Sequence, residues 1–156
     1  MTENIRAKIL AEALCEINRH GADFHMDDLA RNLRISKRTL YEHFSSKQEI
    51  IEQAISDFTN KIYTYHRRIV SDSTMTCEAK LIADFDVPSD NWQVLSVRKA
   101  SELLTKMPDV WSRLQSRYEK DWRLLEQLLD EAQETGEFKP FDKFLFLRLL
   151  HSAADD

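Results

Sequence analysis

The sequence predicts an all-α fold, and three observations predict it. Only 2 glycines and 3 prolines punctuate 156 residues, too few for the many tight turns of a β protein. No run of alternating β-branched residues bounded by turns occurs, whereas apolar residues recur at steps of three and four through most of the chain. No apolar stretch approaches the roughly 18 to 20 residues that cross a bilayer, so a soluble chain without membrane association is expected. A chain of 156 residues buries one core of ordinary size, which leaves open one compact body or a small head on a larger one.

The first helix, about residues 3 to 19, carries Ile5, Ile9, Leu10, Ala13 and Ile17 on one face and stops before Gly21, suited to a left-handed C-cap. A short second helix, about 26 to 33, turns Leu29, Ala30 and Leu33 inward. Ser36 then caps a third, about 37 to 44, that buries Leu40 and Phe44. Ser46-Lys47-Gln48-Glu49 reads as a capping box. Beyond it Ile51, Ile55, Phe58, Ile62, Tyr65 and Ile69 alternate by four and three, giving a long fourth helix from Lys47 to about Val70.

Two polar breaks, 71–76 and 86–90, bracket a helix of about ten residues, and another helix occupies 90–106. Pro108 opens the longest helix of the body. Trp111, Leu114, Tyr118, Trp122, Leu125 and Leu129 form its buried side, and Gly136 closes it. From Phe141 to Ala154 the sequence is apolar almost all round, and such a helix must be covered by something. The chain stops at Asp156 without a helix terminator, so packing on another subunit and truncation at this end are both open.

Acidic Glu3 followed directly by an amphipathic pattern is not how a signal peptide is built, so a cytoplasmic location is expected. Cys15 and Cys77 lie far apart and belong to no ligand cluster, which fits reduced thiols, with Cys15 a small buried apolar side chain. Net charge is −5, but residues 1–70 hold 11 basic against 10 acidic side chains and residues 71–156 hold 11 against 17. An acidic body repels DNA, so any nucleic-acid contact must use a local basic surface in the first half. Between residues 31 and 47, Arg31, Arg34, Lys37, Arg38 and Lys47 stand against Glu42 alone, a local net of +4.

Two helices joined by a short turn at a steep angle can set the second in a DNA major groove while the first braces it across the backbone, and residues 26–44 have that layout. Asp28-Leu29-Ala30 and the run Ile35-Ser36-Lys37-Arg38-Thr39-Leu40-Tyr41-Glu42-His43-Phe44-Ser45-Ser46-Lys47 resemble the DNA-binding signature of the TetR family of transcriptional regulators almost position for position. The resemblance is detailed over about residues 5–55. Beyond that it rests on Met107-Pro108-Asp109-Val110-Trp111 opening a long helix and Gly136-Glu137-Phe138 ending it.

The resemblance implies an N-terminal three-helix helix-turn-helix domain, residues 1–46, joined by a long helix to a helical effector and dimerisation domain, residues 47–156. It implies a double-stranded DNA operator, palindromic and met by a homodimer, a small apolar effector whose binding releases the DNA, and neither catalysis nor a cofactor. Carried over by position, Lys37, Arg38, Thr39 and Tyr41 reach base edges and phosphates, and His43 and Lys47 grip the backbone. Lys37 or Arg38 suits guanine O6 and N7, and the Thr39 methyl suits thymine. Lys47 adds charge to the amides at a helix N-terminus. Two departures stand out: Arg34 occupies a turn position where the family usually has glycine, and His25-Met26 replaces a Ser or Thr cap, so that His25 itself is a candidate phosphate contact. The effector-pocket candidates are Phe58, Tyr65, Phe85, Trp92, Trp111, Tyr118 and Trp122, and the dimer surface is the apolar helix from Phe141.

Two rival classes stand beside this reading. An enzyme lacks support, because no glycine-rich phosphate loop, HExxH or paired cysteines occur and the histidines do not pair on a helical face, which also leaves no metal site. A helical protein-interaction module without sequence-specific DNA binding would suit the acidic C-terminal half.

Overall fold

The computed structural model describes residues 4–86 and 97–155, and every element among them is helical. No helix among the described residues is long and apolar enough to cross a membrane. The described residues form two compact units. One takes the chain up to Phe58 together with the segment ending at Trp111; the other takes Thr59 onward to Asp86 and Ser112 onward.

In the first unit, α1 spans Ile5–His20. It starts two residues later than the periodicity suggests because the Asn4 side chain accepts from the Arg6 amide and fixes the cap there. Ile9, Leu10, Ala13, Leu14 and Ile17 are buried. Gly21 follows with φ 62°, but its ψ of −141° is not the expected left-handed helical cap, because the chain enters a 3₁₀ turn, Gly21–Asp23. Cys15 is only half-buried, and the fully buried thiol is Cys77 instead. Beside Cys15, Glu16 is buried and accepts from Arg19 (2.9 Å) and Asn32 (3.1 Å).

Helix α2 spans Met26–Asn32 and α3 spans Lys37–His43. Their turn is a Schellman arrangement: the Ile35 amide donates to the Ala30 carbonyl (3.0 Å) and the Arg34 amide to the Arg31 carbonyl (3.0 Å). That geometry requires a positive φ at residue 34, and Arg34 adopts it at 55°, alone among the described non-glycine residues. Helix α4 spans Lys47–Val70, as the periodicity indicates. Ile50, Ile51, Ala54 and Ile55 bury its first half. The capping box forms in altered shape. Ser46 Oγ accepts from the Glu49 amide (3.1 Å), but the Glu49 carboxylate returns to the amide and hydroxyl of Ser45 (2.7 and 2.6 Å), one residue earlier than the motif prescribes.

Helix α5 spans Cys77–Phe85, where Thr76 Oγ1 accepts from the Ala79 amide (3.1 Å). Helix α6 spans Val97–Lys106 and α7 spans Pro108–Glu134. The expected break beyond Asp86, the start of a helix at 90 and Trp92 lie outside the described residues. Helices α4 and α7 contribute residues to both units. In the second unit Ile69, Cys77, Leu125, Leu128, Leu129 and Ala132 are buried. Tyr118, expected on the buried side of α7, is exposed, its ring set edge-on over the half-buried Trp122 (centroids 6.1 Å apart). Gly136, at φ 73°, closes α7. The Glu137 carboxylate next to it accepts from the amides of Cys77 (2.9 Å) and Glu78 (2.8 Å), which caps α5 and holds that carboxyl below its usual range. Helix α8 spans Lys143–Asp155, two residues late, because the Asp142 carboxylate caps the Leu145 amide (2.9 Å).

Arg34→Gly is expected to raise the unfolding free energy by about 0.5–1 kcal/mol net, the relief of left-handed strain less the added chain entropy. Urea unfolding monitored by circular dichroism checks this; an unchanged or lowered midpoint would mean that the turn carries no strain.

Candidate nucleic-acid interface

Seven residues make α3, a length at which an isolated helix does not hold itself together in water. Its stability comes from the inner side, where Leu40 and Phe44 are fully buried, and from its ends. Ser36 Oγ accepts from the Thr39 amide (3.0 Å) at the start. At the finish Arg6, from α1, donates to the His43 carbonyl, sets its guanidinium 4.1 Å from the centroid of the Phe44 ring, and approaches Glu49 at 4.0 Å. A cation at a helix C-terminus is the favoured sign there. Arg6 is therefore a positioning residue for the candidate surface that the motif alone did not reveal. Only the three-dimensional path of α1 past the end of α3 exposes it.

With Leu40 and Phe44 turned in, the outer face of α3 presents Lys37, Arg38 and Tyr41, all exposed, Arg38 the most so at 88 % of its side chain. Thr39 is half-buried and its hydroxyl is engaged with Ser36 Oγ (2.9 Å), leaving the methyl as its outward chemistry. Arg34 and His25 are exposed at the two ends of α2, and His25 supplies no side-chain cap, in line with its departure from Ser or Thr. His43 is half-buried in the last turn of α3.

Lys47 departs most from its expected role. Its ammonium sits 4.5 Å from the centroid of the Phe24 ring, and burial pulls its pKa down, with Asp23 pulling the other way. Asp23 in turn is held by Lys106 of α6 (3.1 Å), which keeps that carboxyl below its usual range. At the α4 N-terminus the amides of Ser45 and Glu49 are already occupied by Glu49 and Ser46 side-chain oxygens.

Counterions temper the local charge. Lys37 pairs with Asp27 (3.0 Å), Arg31 with Asp28 (2.8 Å) and Arg38 with Glu42 (3.0 Å). Across residues 25–49 five basic side chains meet four acidic ones, so the net of +4 over 31–47 falls to +1. Asp27 and Asp28 stand in the first turn of α2, where they suit the helix dipole in the absence of a side-chain cap. Each exposed pair contributes about 0–1 kcal/mol, little enough for phosphates to displace Asp27 and Asp28 from Lys37 and Arg31. Arg34 has no carboxylate partner among the described residues.

The pocket candidates divide between the units. Phe58 and Trp111 are half-buried in the first, Tyr65 and Trp122 half-buried in the second, and Phe85 and Tyr118 are exposed there. Trp92 is outside the described residues. The Tyr65 hydroxyl donates to the carbonyls of Ala83 (3.2 Å) and Asp86 (3.3 Å), tying the end of α5 to α4. Beside it, His66 Nδ1 meets both oxygens of Asp121 (2.9 and 3.0 Å), with Asp84 at 3.9 Å. Burial alone would lower the His66 pKa, but Asp121, seconded by Asp84, outweighs it and holds the imidazole above its ordinary value. Burial pushes the Asp84 carboxyl up, against the pull of His66.

Residues 9–54 match the sequence family described as bacterial regulatory proteins, tetR family. The HTH-type transcriptional regulator YvaF of Bacillus subtilis (strain 168) is 27 % identical over 142 residues, which are 91 % of this chain and 75 % of that protein. The HTH-type transcriptional repressor KstR2 of Mycolicibacterium smegmatis is 23 % identical over 117 residues, 72 % of this chain; the match spans only 57 % of that relative's length. The crystal structure of a TetR transcriptional regulator from Legionella pneumophila shares the fold, with a TM-score of 0.72 at 24 % identity over 99 % of this chain and 86 % of that one. The matched family and these relatives regulate transcription rather than catalyse reactions.

Both His66 and Asp84 hold protons more tightly folded than unfolded, so their contribution to stability is present at low pH and lost as pH rises. For His66 the loss begins above its unfolded pKa of about 6.5 and completes through its higher folded value. Urea midpoints are expected to fall between mildly acidic and mildly alkaline pH, with a flatter profile in His66→Gln. A wild-type profile that rises over that range would contradict the assignment.

Proposed function

We propose that this chain, which matches the tetR family of bacterial regulatory proteins over residues 9–54, is a TetR-type repressor that binds a palindromic operator through its helix-turn-helix as a homodimer and is released by a small apolar effector. The observation that carries the reading is the outer face of α3, where Lys37, Arg38 and Tyr41 stand exposed on a helix anchored by Leu40 and Phe44. A major groove about 12 Å wide admits such a helix. Repression is favoured by the relative that bears the word repressor in its name.

Lys37, Arg38 and Thr39 are assigned to base edges, and Tyr41, His43, Arg34 and His25 to positions around the flanking phosphates. Lys47 is assigned to phosphate as well, reaching it by leaving the Phe24 ring, a contact worth about 0.5–1 kcal/mol at a partly exposed site. Residues 1–46 do the DNA work in this reading, and residues 47–156 hold effector and dimer functions. Dimerisation draws support from α8, where Phe144, Leu145 and Leu149 are exposed on an apolar helix. The half-buried Tyr65 and Trp122 are the better effector contacts within the second unit, because exposed Phe85 and Tyr118 cannot enclose a ligand there. Differential affinity of the effector for two states would then shift the population away from the DNA-bound one. The rival reading, an interaction module without sequence preference, gives no account of why the family match falls on residues 9–54.

The protein is expected to retard a duplex carrying a palindrome from its own promoter region, with affinity falling steeply as salt rises. Lys47→Ala should weaken all duplexes alike, whereas Arg38→Ala or Lys37→Ala should also relax sequence preference, by about 1–3 kcal/mol at the base pair concerned. A folded sample that shows no sequence-specific shift at low salt would overturn the reading; equal behaviour of the three variants would overturn the division of contacts.

A further inference from the structure

Arg38 and Glu42 are joined in a particular way. The carboxylate accepts from Nε of the guanidinium at 3.0 Å, and among the described residues neither terminal nitrogen donates to a side chain or carbonyl. A guanidinium carries five N–H donors, so this contact takes one and leaves the four at its outer end. Those four form the planar fork that matches guanine O6 and N7. Lys37 differs, because its pairing with Asp27 engages the single charged centre it has.

Stability does not account for Glu42. The pair is exposed on both sides, at 88 % and 55 % of the two side chains, and such i, i+4 pairs contribute little. Its order on the helix, cation before anion, is the less stabilising one. Glu42 also stands one residue from the end of α3, where the helix dipole disfavours a negative charge. A carboxylate on a DNA-facing helix further opposes phosphate at every sequence. Two costs and a small gain leave orientation of Arg38 as the role the geometry supports.

We propose that Glu42 is a positioning residue for sequence reading: it holds Arg38 by Nε so that the terminal fork projects toward a guanine, while its charge opposes phosphate on every duplex, a penalty offset only where a guanine meets the fork. The proposal rests on the assignment of Arg38 to base contact. Biased toward one rotamer before binding by the Nε contact, the long Arg38 side chain loses less freedom in the specific complex, and a non-specific duplex gains nothing from the projected fork. Glu42 would thus raise discrimination while leaving total affinity modest.

The test uses the full chain, a duplex selected by the wild-type protein from a randomised pool, and a scrambled duplex of the same composition. Glu42→Ala is expected to bind the scrambled duplex about two- to fivefold tighter, the range set by losing one exposed like-charge repulsion. It should also lose guanine preference at the same base pair that Arg38→Ala affects. Glu42→Gln, whose amide oxygen still accepts from Nε, should tighten scrambled binding similarly yet keep most of the guanine preference. If Arg38→Ala leaves base preference intact while the protein still binds, the assignment of Arg38 fails and the proposal with it. If Arg38→Ala relaxes preference but Glu42→Ala tightens both duplexes equally with preference unchanged, the assignment stands and the positioning role is overturned.

Discussion

The burial of Leu40 and Phe44 is the contact on which the DNA-facing part of this protein depends. Helix α3 is too short to persist alone, so the core dictates both that it exists and which side of it faces out. Lys37, Arg38 and Tyr41 occupy the outer face because residues 40 and 44 are claimed by the inner one. The ends are fixed as firmly: Ser36 caps the start, Arg6 grips the His43 carbonyl at the finish, and a Schellman turn delivers the chain from α2 at the cost of left-handed strain in Arg34.

Electrostatics then acts on a surface that packing has already placed. The chain carries a net charge of −5, so long-range attraction to DNA is weak and discrimination must come from close contacts. Asp27 and Asp28 hold Lys37 and Arg31 through exposed pairs that phosphates can displace at small cost, whereas Glu42 engages Arg38 at Nε and leaves its outer nitrogens open. A surface arranged in this way favours selectivity over affinity. The Lys47 ammonium on Phe24 and the Lys106–Asp23 pair belong to the same first unit, so the turn preceding α2 is bound to both α4 and α6.

Local signals in the sequence were informative where one residue decides an outcome. The bounds of α4, the Ser36 cap, the burial of Leu40 and Phe44 and the unusual demand on Arg34 were all legible, because caps, periodicity and backbone preference act over a few residues. Contacts between distant segments were not. Arg6 reaching His43, Asp27 reaching Lys37 and Glu137 capping α5 join residues from different elements, and no spacing rule connects them. The shifted starts of α1 and α8 have a plainer origin, in that Asn4 and Asp142 cap more strongly than the apolar pattern alone registers. Periodicity places Tyr118 inside, yet it stands exposed with its ring edge-on to Trp122, a tertiary outcome that spacing along one helix does not register.

The central claim is that one face of α3 meets DNA and that the remainder of the first unit serves to hold it. Mapping backbone amide shifts by 1H–15N correlation spectroscopy as a selected duplex is added tests this most directly. The account predicts that perturbations concentrate at residues 34–47 and at the start of α2, with the buried face of α1 and the Cys77, Leu128 and Ala132 cluster little changed. A complex that forms while α3 amides stay unperturbed, or one whose largest changes fall on α5 and α8, would contradict it.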